Sequence, residues 1–181
     1  MNYTRLLTDE TERVKFMDKK ELRMKILKNI EHEARVNIGE LAVRLGVEET
    51  DIANEMSEME NEGRICGFLT LIDWDKTDSQ TVTALIEVRC TPQRGQGFDT
   101  VAERIYKYPE VNSVYLISGG FDLLVTLEGK TLQEIATFVT DKLSAQESIL
   151  SCATHFILRR YKDHGTILTR KYTDERQLIT P

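Results

Sequence analysis

Apolar residues recur at helical spacing from Asp18 to about Gly63, and from about Ile65 onward strand-like runs alternate with two helical stretches. In the first part, Leu22, Ile26, Leu27 and Ile30 form one stripe. Asp18 followed three residues later by Glu21 reads as a capping box at the start of that helix. Asn37 with Glu40 repeats the signal ahead of Leu41, Ala42 and Leu45, and Gly46 is placed to end the helix in a left-handed residue. A third helix carries Ile52, Met56 and Met59 on one face and ends at Gly63. Helix, short helix, glycine turn, helix is the order of a helix-turn-helix. The pattern fits a plain three-helix bundle equally well. ICGFLTLIDWD (65–75) then alternates enough to predict a strand or wing, and the polar stretch DWDKTDSQT (73–81) predicts a hinge.

The second part has a regular order. VTALIEVRC (82–90) reads as a strand, and Phe98–Tyr108 as a helix carrying Phe98, Val101, Ile105 and Tyr108, stopped at Pro109. VNSVYLIS (111–118) and FDLLVTLE (121–128) read as strands joined through Gly119-Gly120 in a tight hairpin. A helix over 131–143 is expected to bury Leu132, Ile135, Val139 and Leu143, and ILSCATHFILRRY (149–161) supplies a last strand. The order β-α-β-β-α-β is the ferredoxin-like plan, so the fold class is α+β. Its helices cover one face of the sheet, and a second copy is the simple cover for the other. The expected segments are an extension (1–17), a helix-turn-helix domain (18–73), a hinge (74–81), a ferredoxin-like domain (82–164) and a tail (165–181).

Composition narrows the classes. With 40% hydrophobic and 30% charged residues in 181, the chain reads as an ordinary soluble globular protein. No run approaches the about 18 apolar residues of a membrane span, and the first seventeen residues lack the apolar core of a signal peptide. Cys66, Cys90 and Cys152 are odd in number and far apart, which suggests neither a disulfide framework nor a zinc site and fits reduced thiols in a cytoplasm. The net charge of −6 gives no global basic footprint for nucleic acid, although such patches can be local.

Several stretches together resemble the Lrp/AsnC family of feast/famine regulators. They are IGELAVRLGV (38–47), MENEGRICGFLTLID (59–73), YPEVNSVYLISGGFDLLV (108–125) and FILRRYKDHG (156–165), within a resemblance that spans roughly 18–162. The SGGFD hairpin in its ferredoxin-like setting is the most specific of them. The resemblance implies an N-terminal DNA-binding domain and a C-terminal sensing domain that pairs into dimers or larger rings. It also implies an amino acid or related small metabolite as effector, double-stranded DNA as partner, no cofactor, no membrane and a cytoplasmic place of work.

One feature departs from the family. EETDIANEMSEMENE (48–62) holds acids and no base, although it is the third helix of the motif. Family positions commonly held by Arg and by Lys or Arg fall on Glu55 and Ser57, the serine that starts the helix falls on Glu48, and Cys66 replaces an often basic residue. Arg and Lys carry most phosphate affinity, so an atypical DNA mode is expected. Replacing Glu55 by Arg and Ser57 by Lys is then expected to raise DNA affinity. The candidate DNA contacts are Asn54, Glu55 and Ser57 on this helix, with Arg44, Arg64, Lys19 and Lys20 nearby. A solvated face is the plainer role for the lysine run of the first helix.

By the same resemblance the effector site falls on Leu116, Ser118, Gly119, Gly120, Asp122, Leu132, His155, Phe156 and Ile157. Asp122 offers an acceptor for a ligand ammonium, and the glycines permit close approach. Leu116, Leu132 and Ile157 also read simply as core, and His155 as an interface histidine. Arg159 and Arg160 are expected to pair with acids across a dimer. The alternative function is a metabolite- or protein-binding module that has lost DNA binding. An enzyme is not expected: siroheme decarboxylases share the fold, but only His32, His155 and His164 are present, and no nucleophile pair or phosphate loop appears.

Overall fold

A computed structural model of the chain describes residues 18–31, 33, 35–78, 81–92 and 97–168. The expectations placed on the extension 1–17, on His32 and on the tail beyond 168 lie outside these residues. The chain forms two compact units, Met1–Leu71 and Ile72–Pro181. Among the described residues, no helix is long and apolar enough to cross a membrane.

The first unit holds α1 (Lys19–Ile30), α2 (Ile38–Leu45) and α3 (Glu49–Asn61). Leu22 and Ile26 of α1, Leu41 and Ala42 of α2, and Ile52 and Met59 of α3 are buried together with Ile65. The expected capping box at Asp18 does not form. Its side chain makes no cap bond, and only its carbonyl oxygen accepts, from Leu22 N–H at 2.9 Å. Asn37 does cap α2, accepting from Gly39 N–H at 3.0 Å and Glu40 N–H at 3.3 Å. Gly46 ends α2 at φ 69°, a conformation in which a side chain would be strained. After α3, Gly63 at φ 68° lets Arg64 and Ile65 N–H fold back onto Met59 O at 2.8 and 3.1 Å. That turn seats Ile65 in the core.

The wing expected over 65–75 is absent. Residues 66–73 belong to no strand, and Phe68, Leu69, Leu71, Ile72 and Trp74 are exposed. Alternation alone does not make a strand: its N–H and C=O groups need a neighbouring ladder, and no described strand of this unit supplies one. A short 3-10 turn, Trp74–Lys76, falls inside the expected hinge.

The second unit is a four-stranded sheet with two helices. β1 is Val82–Cys90, α4 Asp99–Tyr106, β2 Val111–Leu116, β3 Leu123–Gly129, α5 Leu132–Phe138 and β4 Ile149–Phe156. The spatial order is β2-β3-β1-β4 with antiparallel neighbours throughout, the ferredoxin-like arrangement. Ala84, Ile86, Val88 and Cys90 of β1 and Leu123, Val125 and Leu127 of β3 point to one face, where Val101 and Ile105 of α4 and Ile135 and Phe138 of α5 cover them.

Three elements differ from the sequence expectations. The second helix changes to a π-turn over Val139–Leu143, so the buried set is Ile135, Phe138 and Leu143. Leu132, expected in the core, is 56% exposed at the first position of the helix. Gly119-Gly120 do not form a two-residue hairpin: a six-residue loop, 117–122, joins the strands, closed by Ile117 N–H donating to Asp122 O at 2.8 Å. The last strand stops at Phe156, opposite Ala84, with one further bond from Ile157 N–H to Thr83 O at 2.9 Å, although β1 runs on to Val82. The chain then forms a small hairpin, β5 (Lys162–Asp163) and β6 (Thr166–Ile167), turning through His164 and Gly165 at φ 42° and 81°.

Most of the other sheet face is covered by no described element of this unit; at one end Arg160 lies against Thr83 and Glu128. Strand register places Leu85, Thr126, Ser113 and His155 in one row across it, and Glu87, Leu124, Tyr115 and Ala153 in the next.

Candidate DNA-binding face and effector region

Only some of the acids between Glu48 and Glu62 are turned aside; Glu48, Glu49, Asp51 and Glu60 are exposed, with no ion pair among the described residues. Glu55, Glu58 and Glu62 recur every three to four residues and turn toward α1. Arg23 gathers all three: Nε donates to Glu55 at 2.6 Å, Nη2 to Glu58 at 2.6 Å and Nη1 to Glu62 at 3.0 Å. Lys19 adds bonds to Glu58 at 2.7 Å and Glu55 at 3.2 Å, and Arg64 holds Glu62 at 2.6 Å. The Arg23 and Glu55 side chains are only 12% and 14% exposed. Hydrogen bonds from Lys19 hold Glu58 below the usual carboxylate range, and those from Arg23 and then Arg64 do the same for Glu62. The bond to Glu55 raises Arg23 further above its already high value.

This arrangement changes the roles expected from the sequence. Glu55 and Lys19 are partners in an interhelical network, and Arg64 is paired within it. An arginine at position 55 would stand against Arg23 and Lys19, so Glu55→Arg is now expected to loosen the helix pair rather than to tighten a grip on DNA. Asn54 and Ser57 are exposed. Arg44 donates to the neutral Asn29 Oδ1 at 2.8 Å, which orients its guanidinium without quenching its charge. Among the described residues no acid pairs with Lys20, Lys28, Arg35 or Arg44. Arg23, the centre of the network, was not singled out from the sequence, although two facing charge stripes of opposite sign at helical spacing were there to read.

In the second unit the predicted effector residues separate. His155 and Phe156 are consecutive in β4 and leave opposite faces of the sheet: His155 lies opposite Leu85 on the open face, Phe156 opposite Ala84 beside the core. His155 is 57% exposed, with Nε2 3.3 Å from Glu87 Oε1. Leu116 and Leu132 are 62% and 56% exposed, and Ser118, Gly119 and Gly120 are exposed in the loop. A side chain at Gly120 would meet nothing within 4 Å, so that backbone is open to approach.

Asp122 is already employed: Oδ2 accepts from Cys90 N–H at 2.8 Å, and its own N–H donates to Val88 O at 3.0 Å. The β1–β4 register shifts between Arg89 and Cys90, and Asp122 satisfies the amide at that irregularity. One carboxylate oxygen therefore remains for any ligand.

Arg160 folds back on its own chain, to Thr83 Oγ1 at 2.5 Å and Glu128 at 3.4 Å, and Arg159 lies over the Tyr161 ring at 5.2 Å. Neither arginine needs a second copy for these contacts.

A cleft of 390 Å³ lies elsewhere, between the end of β3 and α5, lined by Glu110, Glu128, Glu134, Asp141 and Lys142 among others. None of these was read as a site residue. Lys142 fills part of it, bonded to Glu110 at 2.7 Å and lying 5.1 and 5.2 Å from the rings of Tyr108 and Phe138. Burial raises the Cys90 and Cys152 thiols above their ordinary value, which keeps them protonated, and no group of metal-ligating side chains occurs among the described residues.

Comparison with known proteins agrees with this architecture. Residues 83–167 match the model of the Lrp/AsnC ligand binding domain. The chain is 40% identical over 157 residues to the uncharacterized HTH-type transcriptional regulator YugG of Bacillus subtilis, spanning 86% of this chain and 95% of that one. A transcriptional regulator of Neisseria meningitidis, solved in complex with L-Met, superposes with a TM-score of 0.64 at 20% identity, covering 82% of this chain and 94% of its own. AsnC of E. coli superposes with a TM-score of 0.59 at 18% identity, covering 80% and 94%. With a helix-turn-helix unit ahead of a ferredoxin-like unit, and relatives of this kind along most of its length, the chain belongs to the Lrp/AsnC family of HTH-type transcriptional regulators.

Proposed function

We propose that this regulator works in the cytoplasm by placing α3 against double-stranded DNA, and that its ferredoxin-like domain binds a free amino acid or a close metabolic relative. A second copy covers the open face of the sheet. The observation that carries the DNA part is the Arg23 network: three of the acids that argue against a DNA-facing helix, Glu55, Glu58 and Glu62, are turned toward α1 and paired. The alternative of a module that has lost DNA binding drew its support from the acidic helix, and the pairing of Glu55, Glu58 and Glu62 weakens that support.

Two observations support the effector part. The loop 117–122 presents exposed backbone beside a carboxylate with one unused oxygen, a chemistry suited to an ammonium group. The Neisseria relative, by its description, holds L-Met. Thermal melting of the full chain in millimolar solutions of each of the twenty amino acids tests this part. One or a few should raise the melting temperature, by mass action on the folded state. A flat response to all twenty would remove amino acids as the effector class.

A further inference from the structure

We infer that α3 reads DNA through an uncharged stripe, Thr50, Asn54 and Ser57, in which Asn54 selects adenine. This rests on the reading that the chain binds duplex DNA, and deepens it by naming what the helix recognises. A helix advances about 100° per residue, at 3.6 residues per turn. Ile52 and Met59 face the core, and Glu55, Glu58 and Glu62 flank them on the α1 side. The direction opposite the core then belongs to Thr50, Asn54, Ser57 and Asn61, spaced by four, three and four residues.

All four are exposed, and no described residue forms a hydrogen bond with their side chains. Asparagine, serine and threonine commonly spend such groups on their own backbone. Here the outer face of the helix offers a row of unused donors and acceptors.

The chemistry of that row decides what it can tell apart. An asparagine amide presents one donor and one acceptor side by side, the complement of adenine N7 and N6–H in the major groove. Guanine shows two acceptors there and calls for arginine or lysine, which the outer face of α3 lacks. Thr50 and Ser57 lie within about a turn of Asn54 on either side, and their hydroxyls accept either base. Base-contacting residues come from the N-terminal part of a recognition helix, which favours Asn54 over Asn61 at the far end.

Phosphate contacts fall to other residues. Lys20, Lys28, Arg35 and Arg44 are the candidates, since no described acid pairs with them. Contacts from these four residues correspond to a log–log salt slope of about −3.6 for each chain bound. Specificity and salt dependence therefore reside in different residues and can be separated by mutation.

The test is selection of binding sites by the full-length protein from duplexes with a randomised centre, followed by anisotropy titrations. Recovered sites should share an adenine-specified position, where exchange of A·T for G·C weakens the wild type by about tenfold. Asn54→Ala should abolish that discrimination while leaving the salt slope unchanged, and Arg44→Ala should do the reverse. Asn54 is exposed, so its variant is expected to melt like the wild type. Recovered sites with no adenine-specified position, or full discrimination retained by Asn54→Ala, would overturn the inference while leaving DNA binding intact. Failure to recover any duplex would overturn both.

Discussion

Arg23 sits against three carboxylates, one of which, Glu55, is as little exposed as the arginine itself. Removing one partner of such a group leaves the other without compensation, which costs more than removing both. Arg23→Met should therefore lower the melting temperature, and adding Glu55→Met should restore part of the loss. Simple additivity of the two effects in thermal melts would show that the pair is not coupled. Asp122 poses a similar question in the second unit. Asp122→Ala strips the acceptor from Cys90 N–H and should cost about 1–2 kcal/mol in urea unfolding. Asp122→Asn keeps an oxygen for that amide and should cost much less. If the carboxylate also receives a ligand ammonium, the Asn variant should fold normally and bind the effector weakly, a separation that titration calorimetry can read.

At the scale of the element, the contact between α1 and α3 is held by charge as well as by apolar packing, and this gives it a pH dependence of defined sign. Glu58 and Glu62 are depressed below their ordinary value of 4.5 in the folded state. Their stabilisation is fully present above that value and is lost as the pH falls through the depressed folded values. Melting temperature should therefore drop on acidification below about pH 4.5, and Glu58→Gln with Glu62→Gln should drop less steeply. An unchanged acid profile in that double variant would show that the network contributes nothing.

Elements were legible in the sequence where local chemistry decides them. Asn37 caps α2, Gly46 and Gly63 end their helices in left-handed turns, and β1 runs over the expected nine residues, Val82–Cys90. Elements that depend on a partner were not. The stretch 66–73 alternates like a strand but has no ladder to join, β4 leaves its pairing with β1 at Phe156, and the second helix changes to a π-turn at Val139. The acids of α3 were visible as a charge run, but their direction depends on Arg23 and Lys19, 32 or more residues away. The effector residues, carried over by resemblance, were the least local of all, and strand alternation places His155 and Phe156 on opposite faces.

For the whole molecule, a sheet with helices on one face only leaves Leu85, Leu124, Thr126 and Tyr115 to be covered, with Glu87 and His155 among them. If a second copy covers this face, Leu85→Arg combined with Thr126→Arg should shift the protein toward monomer in sedimentation velocity, because charges would have to be buried across the two-fold contact. A sedimentation profile identical to wild type would place the contact between copies elsewhere. The central claim concerns the first unit: a helix rich in acids faces DNA because three of them, Glu55, Glu58 and Glu62, are held by its neighbour and its outer face is uncharged. Fluorescence anisotropy of the full chain on its own upstream region, titrated between about 50 and 200 mM salt with and without amino acids, tests it most directly. The account predicts binding at low salt that weakens as salt rises, with the modest slope of a few phosphate contacts. Absence of binding at the lowest salt, with and without amino acids, would contradict it.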